Sequence, residues 1–178
     1  MGLMMILIGG FLPSAIFIPF KYPPGIIELP STWQVPAVLL SGVICGPRAA
    51  FIASTAYITV GHAYLPLFHE GGGLEYIQTP GFGYIVGFIP ASWLTARLIQ
   101  KTRFKTVISI TFACIAGLLV IHTVGILNLL IGAAISTWPK SLHVLIINYS
   151  VTPIPFQAAL CPTVAMISLP LRRLLILE

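Results

Sequence analysis

The chain has 178 residues, of which 57% are hydrophobic and only 7% charged, with a formal net charge of +5 and a mean hydropathy of +1.00. A soluble domain carries about 25% charged residues, so this composition excludes a water-soluble globule and points to an integral membrane protein. There is no Asp, and the four acids are Glu28, Glu70, Glu75 and Glu178, which gives hydrolysis by a carboxylate pair little to work with.

A bilayer core about 30 Å thick needs roughly 20 apolar helical residues. Six segments are read as spans, at residues 3–20, 35–46, 49–68, 82–99, 106–134 and 142–171. The expected fold is an all-α integral membrane protein, a bundle of six transmembrane helices in a single unit over residues 1–178, with a glycine-rich external loop between the third and fourth.

The first span has no charge and is taken as retained, with Pro13 and Pro19 expected to kink it or fray its end. Gly10 and Ser14, one helical turn apart, form a small-xxx-small pair that lets another helix approach closely. Lys21 to Gln34 reads as a proline-rich connector, too polar to face lipid. The second span opens on Pro36, suited to a first helical turn, and is too short to cross alone at 1.5 Å per residue. Its start must be shielded by protein or line a cavity.

Gly46-Pro47-Arg48 is a tight turn, and the third span holds Tyr57 and His62. The stretch from Tyr64 to Phe88, YLPLFHEGGGLEYIQTPGFGYIVGF, then places Gly71, Gly72 and Gly73 beside aromatics and two of the four acids. Glycine without Cβ can take positive φ and let a ligand approach the backbone. The fourth span ends among Arg97, Lys101, Arg103 and Lys105. The fifth contains His122 and Asn128, expected to serve helix contacts separately. The sixth is interrupted at Pro153, Pro155 and Pro162 before Arg172 and Arg173.

Basic residues collect on the cytoplasmic side of short loops. With a cytoplasmic N-terminus, Arg48, the 97–105 cluster, Arg172 and Arg173 fall inside, seven of the nine Lys and Arg, leaving Lys21 and Lys140 outside. Both termini are therefore placed in the cytoplasm of a multi-pass protein of the cell membrane. The 21–34 connector and the glycine loop then meet on the external face, above a short second span, where a transporter would build a pocket.

No GxxxxGK[ST] occurs, so ATP-driven work must come from a partner. GGGLEYIQTPGFGY lacks the strand–helix surroundings of a dinucleotide site, and no basic face with interleaved aromatics suits nucleic acid. Cys45, Cys114 and Cys161 are scattered in apolar runs and read as small buried residues. His62, Tyr57 and His69-Glu70 could hold a metal or a proton, but as polar lining of an external vestibule they need no fortunate loop path; no metal or cofactor is expected. Trp33, Tyr64, Tyr76, Phe82 and Tyr84 suit an interfacial belt, yet their concentration beside glycines and Gln34 favours a pocket for a flat or ring-shaped ligand.

The run from Trp33 to Leu98, with its Gly46–Arg48 turn, the Tyr57 to Pro66 element, the glycine loop and TPGFGYIVGF at Thr79 to Phe88, resembles the BioY family, the biotin-binding substrate components of energy-coupling factor transporters. The resemblance implies capture of biotin outside and its delivery inside, by a protein that is not itself an enzyme. It works with a transmembrane coupling subunit and two ATPase subunits in the lipid bilayer. Carried over, Gly71 to Gly73 lie against the bicyclic ring, the entrance to the second span and Tyr84 help enclose it, and the Gly10/Ser14 pair is similar to the motif that docks on the coupling subunit. The substrate-binding candidates are Gly71, Gly72, Gly73, Tyr84, Gln34, Gln157, Asn148 and Tyr57.

One departure stands out. Where the family often has Pro-Gly-Asp-x-x-Lys, this chain reads Pro155-Phe156-Gln157, with Leu160 at the lysine position. Gln157 still offers an amide donor and acceptor to a ureido group, but no cation is present there for a carboxylate, which leaves Lys140 or a loop N–H. The alternatives are a component for another vitamin and, from a different class, an intramembrane enzyme. The spans carry no carboxylate dyad to support the enzyme.

Overall fold

The computed structural model describes residues 1–18, 25–63, 68, 71–102, 106–138 and 140–175. Helix α1 covers Gly2–Phe11 and ends at Leu12, which is extended (φ −92°, ψ 112°). Pro13 disfavours helical backbone in the residue before it, so the chain leaves the helix there and continues as strand β1 (Pro13–Ile18), antiparallel to β2 (Gly25–Thr32). The expectation of a helix over 3–20 is thereby corrected, and β2 occupies much of the stretch read as a connector. Ser14 lies in β1 rather than one helical turn beyond Gly10. The buried small residues of α1 are instead Gly2 and Gly9. A Cβ on Gly9 would stand 2.5 Å from Ala37 Cβ and 2.8 Å from the Trp33 carbonyl, so α1 uses its glycines to approach the next helix.

Helix α2 (Gln34–Ala63) is broken at Gly46, whose φ of 80° and ψ of 171° are not helical. Its two arms, 34–45 and 47–63, lie side by side. Gln34 hydrogen-bonds Tyr57 across 23 residues, which in a straight helix would be about 35 Å away at 1.5 Å per residue. Gly42 and Ser54 both meet Ser92. The Gly46-Pro47-Arg48 turn thus does what its sequence suggests: glycine takes the positive φ, and Pro47 starts the return arm, where its fixed φ suits a first helical turn.

A 3-10 turn (Leu74–Gln78) leads into α3 (Phe82–Val86) and α4 (Phe88–Lys101). Helix α5 (Val107–Ala134) starts at a capping box in which Thr106 and Ser109 exchange side-chain and backbone hydrogen bonds. Helix α6 (Leu142–Ile146) runs through a π turn (Ile147–Val151) into α7 (Pro153–Leu174). Four stretches among the described residues are long and apolar enough to cross a membrane: Gln34–Ala63, Phe82–Lys101, Val107–Ala134 and Leu142–Leu174. The chain is an integral membrane protein with a helical fold.

The core between α2, α4, α5 and α7 contains Leu39, Tyr57, Ala91, Leu118 and Val164, all buried. At one end, Gly2 approaches Cys45 and Ala53, Gly46 faces Gln100, and Arg172 reaches the Val43 carbonyl. The opposite end, where α2 and α3 begin and α5 closes, is hollow.

Candidate functional site

That hollow end holds a cavity of about 400 Å³, within the usual range for small-molecule sites. Gln34 and Val35 of α2, Tyr76 of the 3-10 turn, and Tyr84, Ile85 and Phe88 of α3 and α4 form one wall. Ile121 and His122 of α5, Asn148 and Tyr149 of the π turn, and Pro153 and Gln157 of α7 form the other. Among the described residues no Lys, Arg, Asp or Glu lines it.

A chain of polar groups joins the two walls. Tyr84 Oη lies 2.6 Å from Ser150 Oγ, Ser150 Oγ 3.2 Å from His122 Nδ1, and His122 Nε2 3.0 Å from Gln157 Oε1. With Gln157 turning its carbonyl oxygen to the ring, the donors run one way: Tyr84 to Ser150, Ser150 to His122, and His122 Nε2–H to Gln157. In the neutral ring this order leaves the Gln157 amide N–H groups for the cavity. Both central members are sequestered, Ser150 at 1% and His122 at 4% exposure, where an unmade hydrogen bond is expensive.

Local sequence explains how this wall is aimed. Pro153 and Pro155 have no N–H to give the carbonyls four residues earlier, those of Tyr149 and Val151. Just there the helix widens into the π turn, with Thr152 N bonding Ile147 O at 2.9 Å. Such turns are frequent at functional sites, and this one carries Asn148, Tyr149 and Ser150. Tyr84 lies on α5 because residue 125 is glycine: a Cβ there would meet the ring at 2.3 Å. The Tyr84 ring also stacks on Tyr149 (5.9 Å between centroids) and meets the His122 ring edge-on.

Of the sequence candidates, Gln34, Tyr84, Asn148 and Gln157 are brought together around the cavity. Tyr57 stands behind it, fully buried, accepting from Gln34 Nε2 at 2.6 Å. Gly71, Gly72 and Gly73 are not lining residues. Gly71 and Gly73 take φ of 128° and 82°, Gly71 pairs with Phe68, and Gly73 N bonds Gly61 O at 2.9 Å. The loop thereby seats Phe68 against Tyr76 (4.6 Å between ring centroids), and Tyr76 reaches the cavity.

Among the described residues no group of three or more His, Cys, Asp and Glu could hold a metal ion. His62 packs edge-on against Phe68 and Phe82, while His69 and Glu70 lie outside the described residues, as does Tyr64. Trp33 faces a separate apolar groove beside α1. Asn128 donates to Pro80 O in the turn before α3 at 3.4 Å, and its side chain lies where a Cβ on Gly83 of α3 would stand. His122 also makes its helix contacts, from α5 to the π turn and α7, and beyond that expectation it lines the cavity; its place as an ionisable residue inside a span was the signal available for it. Tyr149 and Ser150 carried no such signal.

A family model described as the BioY family matches residues 1–176. A protein of Lysinibacillus sphaericus named "Probable biotin transporter BioY" is 34% identical over 110 residues, which is 62% of this chain and 55% of that one. The chain thus spans about half the length of that relative. An uncharacterized 21.2 kDa protein of Cyanophora paradoxa is 25% identical over 177 residues, covering 93% of this chain and 92% of its own. The crystal structure of the S-component for biotin from an ECF-type ABC transporter superposes with a TM-score of 0.73 at 22% identity, over 97% of this chain and 87% of that one, a likeness of fold.

Proposed function

The chain belongs to the BioY family, and from that premise we propose that it is a biotin-binding substrate component that takes up biotin through the cavity at the open end of its bundle. The observation that carries this reading is the chained, uncharged wall of Tyr84, Ser150, His122 and Gln157. A ureido group is neutral, with one acceptor and two donors. It is held by fixed amides and hydroxyls without an ion, and each partner left unmade inside costs about 1–3 kcal/mol.

In this reading a Gln157 N–H donates to the ureido oxygen, while Gln34, held by Tyr57, turns its Oε1 to a ureido N–H. Asn148 supplies a further amide. Tyr76, Tyr84 and Phe88 cover the faces of the bicyclic ring, and the glycine loop Gly71–Gly73 closes over it with Tyr76.

Six segments cross the membrane, the two arms of α2 counting separately and α1 with its extension as the first. Both termini are cytoplasmic, supported by the gathering of Gly2, Gly46 and Arg172 at the end opposite the cavity and by the basic residues near that end. Uptake is driven by a coupling subunit and two ATPase subunits, supported by the absence of a phosphate-binding GxxxxGK[ST] in the chain. The coupling subunit docks on α1 at Gly10, with Ser14 just past the helix end.

Equilibrium binding of labelled biotin to the purified protein, in competition with unlabelled biotin and an unrelated vitamin, tests the assignment. Displacement by biotin alone is expected. A folded protein that takes no biotin sinks it.

A further inference from the structure

A second cavity of about 470 Å³ adjoins the first. The two share Asn148 and Tyr149 as lining residues, so the π turn is the wall between them. The second cavity differs in one respect that matters: it is lined by Lys140, a cation, whereas among the described residues the first is lined by no charged side chain. Lys140 is exposed. Around it the cavity is built rather than incidental. Trp138 donates its indole N–H to Leu129 O at 3.0 Å and lies so close on Gly132 that a Cβ there would come within 2.1 Å of it. Pro80 is tied to α5 through Asn128.

We propose that the second cavity is the carboxylate end of the binding site, with Lys140 as the cation that receives it. This rests on the biotin reading above and deepens it. Among the described residues the first cavity offers a neutral polar head its amides and hydroxyls but offers a flexible aliphatic acid no cation, whereas the second cavity does. The head occupies the uncharged relay, the aliphatic chain passes over Tyr149 and Asn148, and the acid emerges beside Lys140. Leu145, Trp138 and Tyr149 give the methylenes apolar surface. The ion pair forms at an exposed position, where screening keeps it modest, so Lys140 sets preference for the free acid more than it sets affinity for the head.

The test compares biotin with biotinamide, which has the same head and chain but no charge, on the wild-type protein, Lys140→Gln and Lys140→Arg in detergent at low salt. The wild type is expected to prefer biotin about two- to fivefold, the size of a screened charge interaction at an exposed position. Lys140→Gln is expected to lose that preference while binding biotinamide as the wild type does, which also shows that it is folded. Lys140→Arg is expected to keep the preference. An unchanged ratio in Lys140→Gln overturns the inference with biotin binding intact. A wild-type protein that binds neither compound overturns the biotin reading, and this inference with it.

Discussion

The Arg172 guanidinium, near the end of α7, donates to the main-chain carbonyl of Val43, 129 residues earlier in α2. Val43 stands four residues before Pro47, and proline has no N–H to offer the carbonyl one turn back. The break at Gly46 therefore exposes a carbonyl, and an arginine from another helix fills the vacancy. The bond ties the turn between the arms of α2 to the last helix, at the end of the bundle opposite the cavity. Truncation as Arg172→Met is expected to lower the unfolding free energy by roughly 1–3 kcal/mol, the range for a lost charged hydrogen bond with its acceptor left buried. Biotin affinity, measured on the folded fraction, should hold.

Within the cavity wall, Gln157 is the member of the relay that lines the cavity with its amide N–H groups outside the relay. Gln157→Ala is expected to weaken biotin binding at least tenfold, about 1.4 kcal/mol, by isothermal titration or ligand competition. Affinity equal to the wild type would take Gln157 out of the site.

Ser150 joins Tyr84 to His122, so its hydroxyl serves two partners. Ser150→Ala should strand both, with a loss of stability of about 1–3 kcal/mol and weaker binding. Because the groups form one chain, the double variant Ser150→Ala with Tyr84→Phe should cost less than the sum of the two single variants, as coupled neighbours do. Strict additivity in unfolding midpoints would show that the chain does not act as a unit.

The fold was legible where one residue type forces one geometry. Gly46-Pro47 announces the break in α2, and α5 was expected over 106–134 and is found at Val107–Ala134. Elsewhere the pattern was ambiguous. Apolar composition alone does not tell helix from strand over Pro13–Ile18, since both bury such residues, and the proline's effect on Leu12 decided it. Prolines 153, 155 and 162 were read as interruptions. Pro162 and Pro170 lie inside α7, and the disturbance of Pro153 and Pro155 falls upstream of them, in the π turn, because the lost donors belong to carbonyls four residues earlier. Gln34, Tyr84, Asn148 and Gln157 of the site were readable as amides and aromatics near span ends. His122 was not placed there, because its partners Ser150 and Gln157 are 28 and 35 residues away, and spacing along α5 says nothing about them.

Gly125 separates packing from binding most cleanly. Alanine is the better helix former by about 1 kcal/mol, so on propensity alone Gly125→Ala would firm up α5. The new methyl, however, would stand 2.3 Å from the Tyr84 ring, far inside contact distance, and the ring must leave α5. Moving it breaks its hydrogen bond to Ser150 and its stacking on Tyr149 and turns the ring toward the cavity. Gly125→Ala is therefore expected to reduce biotin affinity by tenfold or more, with intrinsic tyrosine fluorescence reporting the displaced ring. A second substitution, Tyr84→Ala, removes the clash, so the double variant should bind no worse than Tyr84→Ala alone. If Gly125→Ala binds biotin as the wild type does, the ring has another place to go, and Tyr84 is not the fixed wall that the structure makes it.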